Sequence, residues 1–193
     1  MHLAELYEDR GEESKRVEAS RQAAALASDL AQRRPELARL KAVALSRTAQ
    51  NLNSTSDWRK AAPVWQQAIV ACRAALEQDP HDWQMRRGLA VAHDGLARCW
   101  TELDNLPGAR QHLEEAVHLF NADLDTAPAK TRLAMQVSFE LIDLAWVEHR
   151  LGSYKEAVAH AQQAYALQQH VAGADADNFA APLEMTKTLV TTA

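Results

Sequence analysis

Leu151-Gly152-Ser153-Tyr154-Lys155-Glu156-Ala157 is the stretch on which the fold turns. A short polar turn runs into an aromatic and then an alanine, and Ala164 follows two helical turns later. Ala157 has counterparts at Ala109 and Ala61 (157 − 109 and 109 − 61 are both 48). Ala68, Ala116 and Ala164 keep that interval, as do Ala49, Ala97 and Ala145. Self-similarity at one period of this size marks a repeat array, in which each unit buries its apolar face against its neighbours.

Outward from that stretch, Pro35, Pro80, Pro128 and Pro182 each fall just before, or in the first turn of, an amphipathic run, and Pro107 sits just after Asn105. Proline is tolerated in a first turn because the N–H it lacks has no partner there. Between these marks apolar residues recur every three or four positions, as in Leu89, Ala92, Leu96, Cys99, Trp100 and Leu103. No alternating β-branched segment occurs, so the chain reads as all-α. The spacing predicts nine helices, at roughly 2–10, 13–32, 36–52, 57–78, 82–103, 107–125, 129–151, 154–172 and 179–192. Connections as short as Asp104-Asn105 or Gly152-Ser153 force neighbouring helices antiparallel. Pro63 falls inside the fourth helix, where it should distort the opening turns or delay the start.

A chain of 193 residues, 47% hydrophobic and 24% charged, has room for one sizeable core or a short solenoid. Its net charge of −5 argues against a general nucleic-acid or acidic-membrane surface, which needs clustered cations. The adjacent basic pairs, Arg33-Arg34 and Arg86-Arg87, are assigned to helix ends, where cations meet the dipole and solvent. Cys72 and Cys99, with no CxxC, read as core filler in a reducing compartment. The start, Met1-His2-Leu3-Ala4-Glu5-Leu6, has no apolar stretch of signal-peptide length, and nothing approaches a membrane span. The expected location is cytoplasmic.

At this point the residues resemble the tetratricopeptide repeat family, in a long-helix bacterial variant. The 151–157 stretch is similar to the opening of that family's second helix. Leu96-Ala97, Trp100, Ala109, Leu113 and Ala116 match in the preceding unit, and Asp57-Trp58, Ala61, Trp65 and Ala68 in the one before. Small residues at a helix crossing let two backbones approach while an aromatic fills the wedge. The family's common unit is 34 residues, so a period of 48 departs from it by about two extra turns per helix. The resemblance covers about residues 36–193 and implies antiparallel helical hairpins stacked into a right-handed superhelical solenoid. It implies a single domain over 1–193, with hairpins near 13–52, 57–103, 107–151 and 154–192 and a partial helix at 2–10. Both ends stop mid-repeat, which leads to the expectation that the chain is cut from a longer protein.

Signatures of catalysis are absent. No glycine-rich phosphate loop occurs, no two of the eight histidines stand at i,i+4, and there is no HExxH. Each histidine reads as a surface or boundary residue, and Glu114-Glu115 as a solvated face. The expectation is no enzyme, cofactor or metal. In the resembled family the concave groove is lined by the first helix of each repeat. Carried over, that gives Ser46, Gln50 and Asn53, then Asp94, Arg98 and Glu102, then Trp146, His149 and Arg150. Asp94, Arg98 and Glu102 share one helical stripe and can equally form an i,i+4 salt-bridge ladder. Trp58, Trp65 and Trp100 fall at packing positions, whereas Trp146 is out of that register and flanked by Arg150, as in a binding hot spot.

These readings favour a non-catalytic scaffold for a protein or peptide, or the regulatory arm of a larger bacterial signalling protein. The alternative is a structural spacer that forms homo-oligomers through its terminal helix. No nucleic-acid or membrane partner is expected.

Overall fold

A computed structural model of the chain describes residues 2–124 and 130–172. It consists of α1 (His2–Arg33), a 3-10 turn (Pro35–Leu37), α2 (Ala38–Ser54), α3 (Trp58–Gln78), α4 (Trp83–Glu102), α5 (Leu106–Leu124), α6 (Lys130–Arg150) and α7 (Tyr154–Ala172). No strand occurs among the described residues. The bounds of α2 to α7 fall within two residues of the expected ones. The first helix differs: the segments expected separately at 2–10 and 13–32 form one helix of 32 residues. Gly11 lies exposed within it, and a solvated helical glycine costs about 1 kcal/mol against alanine without supplying a stop. The helix expected at 179–192, and with it the terminal-helix contact, lies outside the described residues.

Pro63 neither delays nor ends α3, which starts at Trp58. Its exposed position leaves the Arg59 carbonyl, which has lost its i+4 partner, open to hydration. A proline on the wet face of an opening turn is tolerable.

One turn design recurs. Ser56, Asp104 and Gly152 all hold positive φ, at 57°, 61° and 79° (104 − 56 and 152 − 104 are both 48). At the first, the Ser56 N–H donates to the Asn53 carbonyl at 2.9 Å and the Asp57 N–H to the Leu52 carbonyl at 3.0 Å. At the third, the Gly152 N–H donates to His149 at 3.0 Å and the Ser153 N–H to Glu148 at 2.9 Å. Both are Schellman caps, which satisfy the last carbonyls of a helix through one left-handed residue. The next residues along, Asp57, Asn105 and Ser153, are of the N-capping type. Asn105 Oδ1 accepts from the Gly108 N–H at 3.3 Å. One residue therefore closes a helix and its neighbour opens the next, which is how so short a link reverses the chain.

Contacts divide the chain into two compact units between Leu103 and Asp104. In the first unit α2 packs on α1 and α3, α3 packs on α4, and α2 also touches α4. Helices α2 and α4 thus run parallel on one face with α3 behind them. In the second unit α6 packs against both α5 and α7. The alanines of the 48-residue period are buried: Ala49, Ala61, Ala68, Ala97, Ala109, Ala116 and Ala164 are 0% exposed. Ala145 and Ala157 are buried in one cluster with Ala161. Cys72 and Cys99 are buried free thiols.

Candidate binding groove

The face shared by α2 and α4 carries two adjoining cavities, of about 370 Å³ and about 320 Å³. Helical spacing explains their walls. Val43, Arg47 and Gln50 recur at four and three along α2, and Arg87, Val91, Asp94 and Arg98 do so along α4. Gln50 and Val91 border both cavities. The first is further lined by Ser46, Val43, Arg47 and Arg87. The second gathers Asn53, Asp94 and Arg98, with Gly95 and the buried Trp65 of α3 behind them. Four expected groove residues, Gln50, Asn53, Asp94 and Arg98, therefore line one cavity. Glu102 is exposed at the end of α4 and borders neither.

The charges of this face are unevenly matched. Arg39 is held by Asp82 and Gln84. Asp82 itself caps α4, its Oδ1 accepting from the backbone N–H groups of Gln84 and Met85 at 3.0 and 3.1 Å. Arg47, Arg87 and Arg98 are exposed and pair with no group among the described residues. The i,i+4 ladder therefore does not close at Arg98. Arg86-Arg87 do not sit where a helix dipole favours them either: they lie in the opening turns of α4, at its positive end. The walls also enclose the thiols. The Cys99 Sγ donates to Asn53 Oδ1 at 3.3 Å, and burial pushes its pKa up to about 12. Burial pushes Cys72, behind the first cavity, up to about 11.

In the second unit Trp146 is 45% exposed, and the Arg150 guanidinium lies 4.8 Å from its ring centroid. Arg150 Nη2 also donates to Asp104 at 2.7 Å. His149 packs edge-on against Tyr154, with ring centroids 5.2 Å apart. Trp146, His149 and Arg150 thus form an exposed aromatic and cationic cluster at the end of α6. Phe139, 43% exposed, stands two turns earlier on the same face. Of the tryptophans assigned to packing, Trp65 is buried while Trp58 and Trp100 are half-buried.

Some residues escaped the sequence reading. Val43 was detectable, because Val43, Val91 and Phe139 stand 48 apart on equivalent helices (91 − 43 and 139 − 91), whereas Arg47 drew no notice and Arg87 was assigned to a helix end. Glu148 carried no signal. It is 0% exposed among the apolar residues of α6, with His160 Nδ1 2.7 Å from one oxygen and Arg110 Nε 3.6 Å from the other. His93 is likewise buried, at 2% exposure, where the sequence places every histidine at the surface or boundary. No group of three or more His, Cys, Asp or Glu side chains suited to a metal occurs among the described residues. No described helix is long and apolar enough to cross a membrane.

No protein-family model matches the chain, and no curated protein matches it. Among solved structures it is similar to BtubC (BKLC) from P. vanneervenii. That match has 15% identity over 93% of this chain and 82% of the other, with a TM-score of 0.48. A second similar structure, a MamA RS-1 ArsTM double mutant, has 14% identity over 90% of this chain and 97% of the other, with a TM-score of 0.30. Both likenesses are distant.

Proposed function

We propose that this chain is a non-catalytic scaffold that holds a protein or peptide on the α2/α4 face of its first unit. The observation that supports this reading is the meeting of Gln50, Asn53, Asp94 and Arg98 in one cavity, continuous through Gln50 and Val91 with a second. A face of that kind combines exposed apolar side chains with donors and acceptors whose positions are set by helices, which suits recognition of a chain segment. The exposed Trp146–Arg150 pair offers the second unit a contact of hot-spot type. A role as regulatory arm of a larger signalling protein rests on the family resemblance alone.

The test is affinity capture from cells with the wild-type chain, Val43→Asp, Arg98→Glu and Trp146→Ala, read by mass spectrometry. Thermal melts should match across the set, since all three substituted sites are exposed. Loss of the same specific partners in the first two variants is the expected result. An unchanged set of partners in both would refute the groove.

A further inference from the structure

The face between α2 and α4 carries a charge pattern opposite to that of the chain. The protein has a net charge of −5, yet the cavity walls present Arg47, Arg87 and Arg98 with no partner among the described residues. Unpaired cations repel one another and gain nothing from the fold. Apolar groups alternate with the cations: Val43 is 52% exposed, and along α4 Val91, then the single carboxylate Asp94, separate Arg87 from Arg98, so that arginines outnumber carboxylates on these walls. On α2, the same alternation places Val43 one turn before Arg47.

From this pattern we infer that the occupant of the groove is an acidic peptide segment whose carboxylates alternate with apolar side chains. The inference rests on the groove reading above and adds the chemistry of the partner. Each carboxylate can pair bidentately with a guanidinium, while its apolar neighbours cover Val43 and Val91. The span from Arg87 to Arg98 is about 17 Å at 1.5 Å per residue, which fits about five residues of extended chain or about eleven of helix. Nucleic acid fits less well. Single-strand binding uses exposed aromatic platforms, and the aromatic behind this groove, Trp65, is only 1% exposed. The chain's overall negative charge also repels a long polyanion.

The experiment is selection of a displayed library of random twelve-residue peptides on the wild-type chain. Individual peptides are then titrated against wild type, an Arg47→Glu/Arg98→Glu variant and a Val43→Asp variant. The expected winners are rich in Asp and Glu interspersed with Leu, Ile or Phe. Their affinity should fall at least tenfold in the Arg47→Glu/Arg98→Glu variant and should weaken as salt is raised from 50 to 200 mM. Winners without acidic enrichment that still lose binding in Val43→Asp would overturn the charge assignment and leave the groove reading intact. Winners indifferent to both variants would overturn the groove itself. Displacement of the winners by a twenty-nucleotide oligo-dT at equal concentration would assign the face to nucleic acid instead.

Discussion

The indole of Trp65 on α3 lies directly over the α-carbon of Gly95 on α4. A β-carbon built at Gly95 would stand 2.3 Å from Trp65 Cε2 and 2.4 Å from Cζ2. No real side chain tolerates that distance, so this glycine is what lets α3 and α4 close over a tryptophan that is 1% exposed. Mid-helix, Gly→Ala ordinarily stabilises by about 1 kcal/mol through backbone entropy. Here overpacking should outweigh it and leave Gly95→Ala destabilised by about 1–3 kcal/mol. Denaturant midpoints decide the sign. A Trp65→Leu/Gly95→Ala double variant should recover part of the loss, because shrinking the ring removes the clash.

The repeated turns give a change in the opposite direction. Ser56 holds a positive φ that a side chain disfavours, and Gly152 occupies the equivalent position with no such strain. Ser56→Gly should therefore stabilise by about 0.5–1 kcal/mol, less the entropy glycine adds to the unfolded chain. Gly152→Ala should cost a similar amount. Thermal melts of both variants check this, and a drop in stability for Ser56→Gly would show that the Ser56 backbone is not strained.

These two sites also show what could be read in advance. The turns were legible because their chemistry is local: capping residues, a glycine and a change of apolar register lie within a few positions of one another. The helix bounds followed from them. Gln50, Asn53, Asp94 and Arg98, carried over from the resembled family's groove positions, line one cavity, as residues that share helix faces can. The Trp65–Gly95 contact joins residues on different helices, and nothing near either one in sequence announces it. Glu148 and His93 were missed for a related reason. A polar side chain on an apolar face is read as exposed unless its partners are known, and those of Glu148 come from α5 and α7. The break expected between 10 and 13 does not occur, since a solvated helix absorbs Gly11 without a stop.

Arg110 joins two carboxylates of unequal burial, Glu114 at 2.9 Å and Glu148 at 3.6 Å. The Glu114 pair is a solvated i,i+4 contact and should contribute less than about 1 kcal/mol. Glu148 is wholly buried, and leaving a buried carboxylate short of a partner costs about 1–3 kcal/mol or more. Arg110→Ala should accordingly destabilise the second unit more than Glu114→Ala does. His160→Ala should behave like Arg110→Ala, because His160 supports the other Glu148 oxygen at 2.7 Å. Equal stabilities for Arg110→Ala and Glu114→Ala would mean that Glu148 draws nothing from Arg110.

The buried thiols predict how the fold responds to alkali. Burial raises Cys72 from the ordinary 9.0 to about 11, and Cys99 to about 12. Above pH 9 the unfolded chain sheds both thiol protons while the folded chain keeps them. Stability contributed by these groups must then fall as pH rises from about 9 through about 11–12, since the unfolded state binds fewer protons there. A Cys72→Ala/Cys99→Ala variant should show a shallower alkaline decline in denaturant midpoint, which separates the thiols from lysines and tyrosines titrating in the same range. Reactivity gives an independent reading. At pH 8 the native thiols should resist an aromatic disulfide reagent and react fully in denaturant. Rapid labelling of the native protein would show that at least one thiol is within reach of the reagent, most directly Cys72, which lines the first cavity.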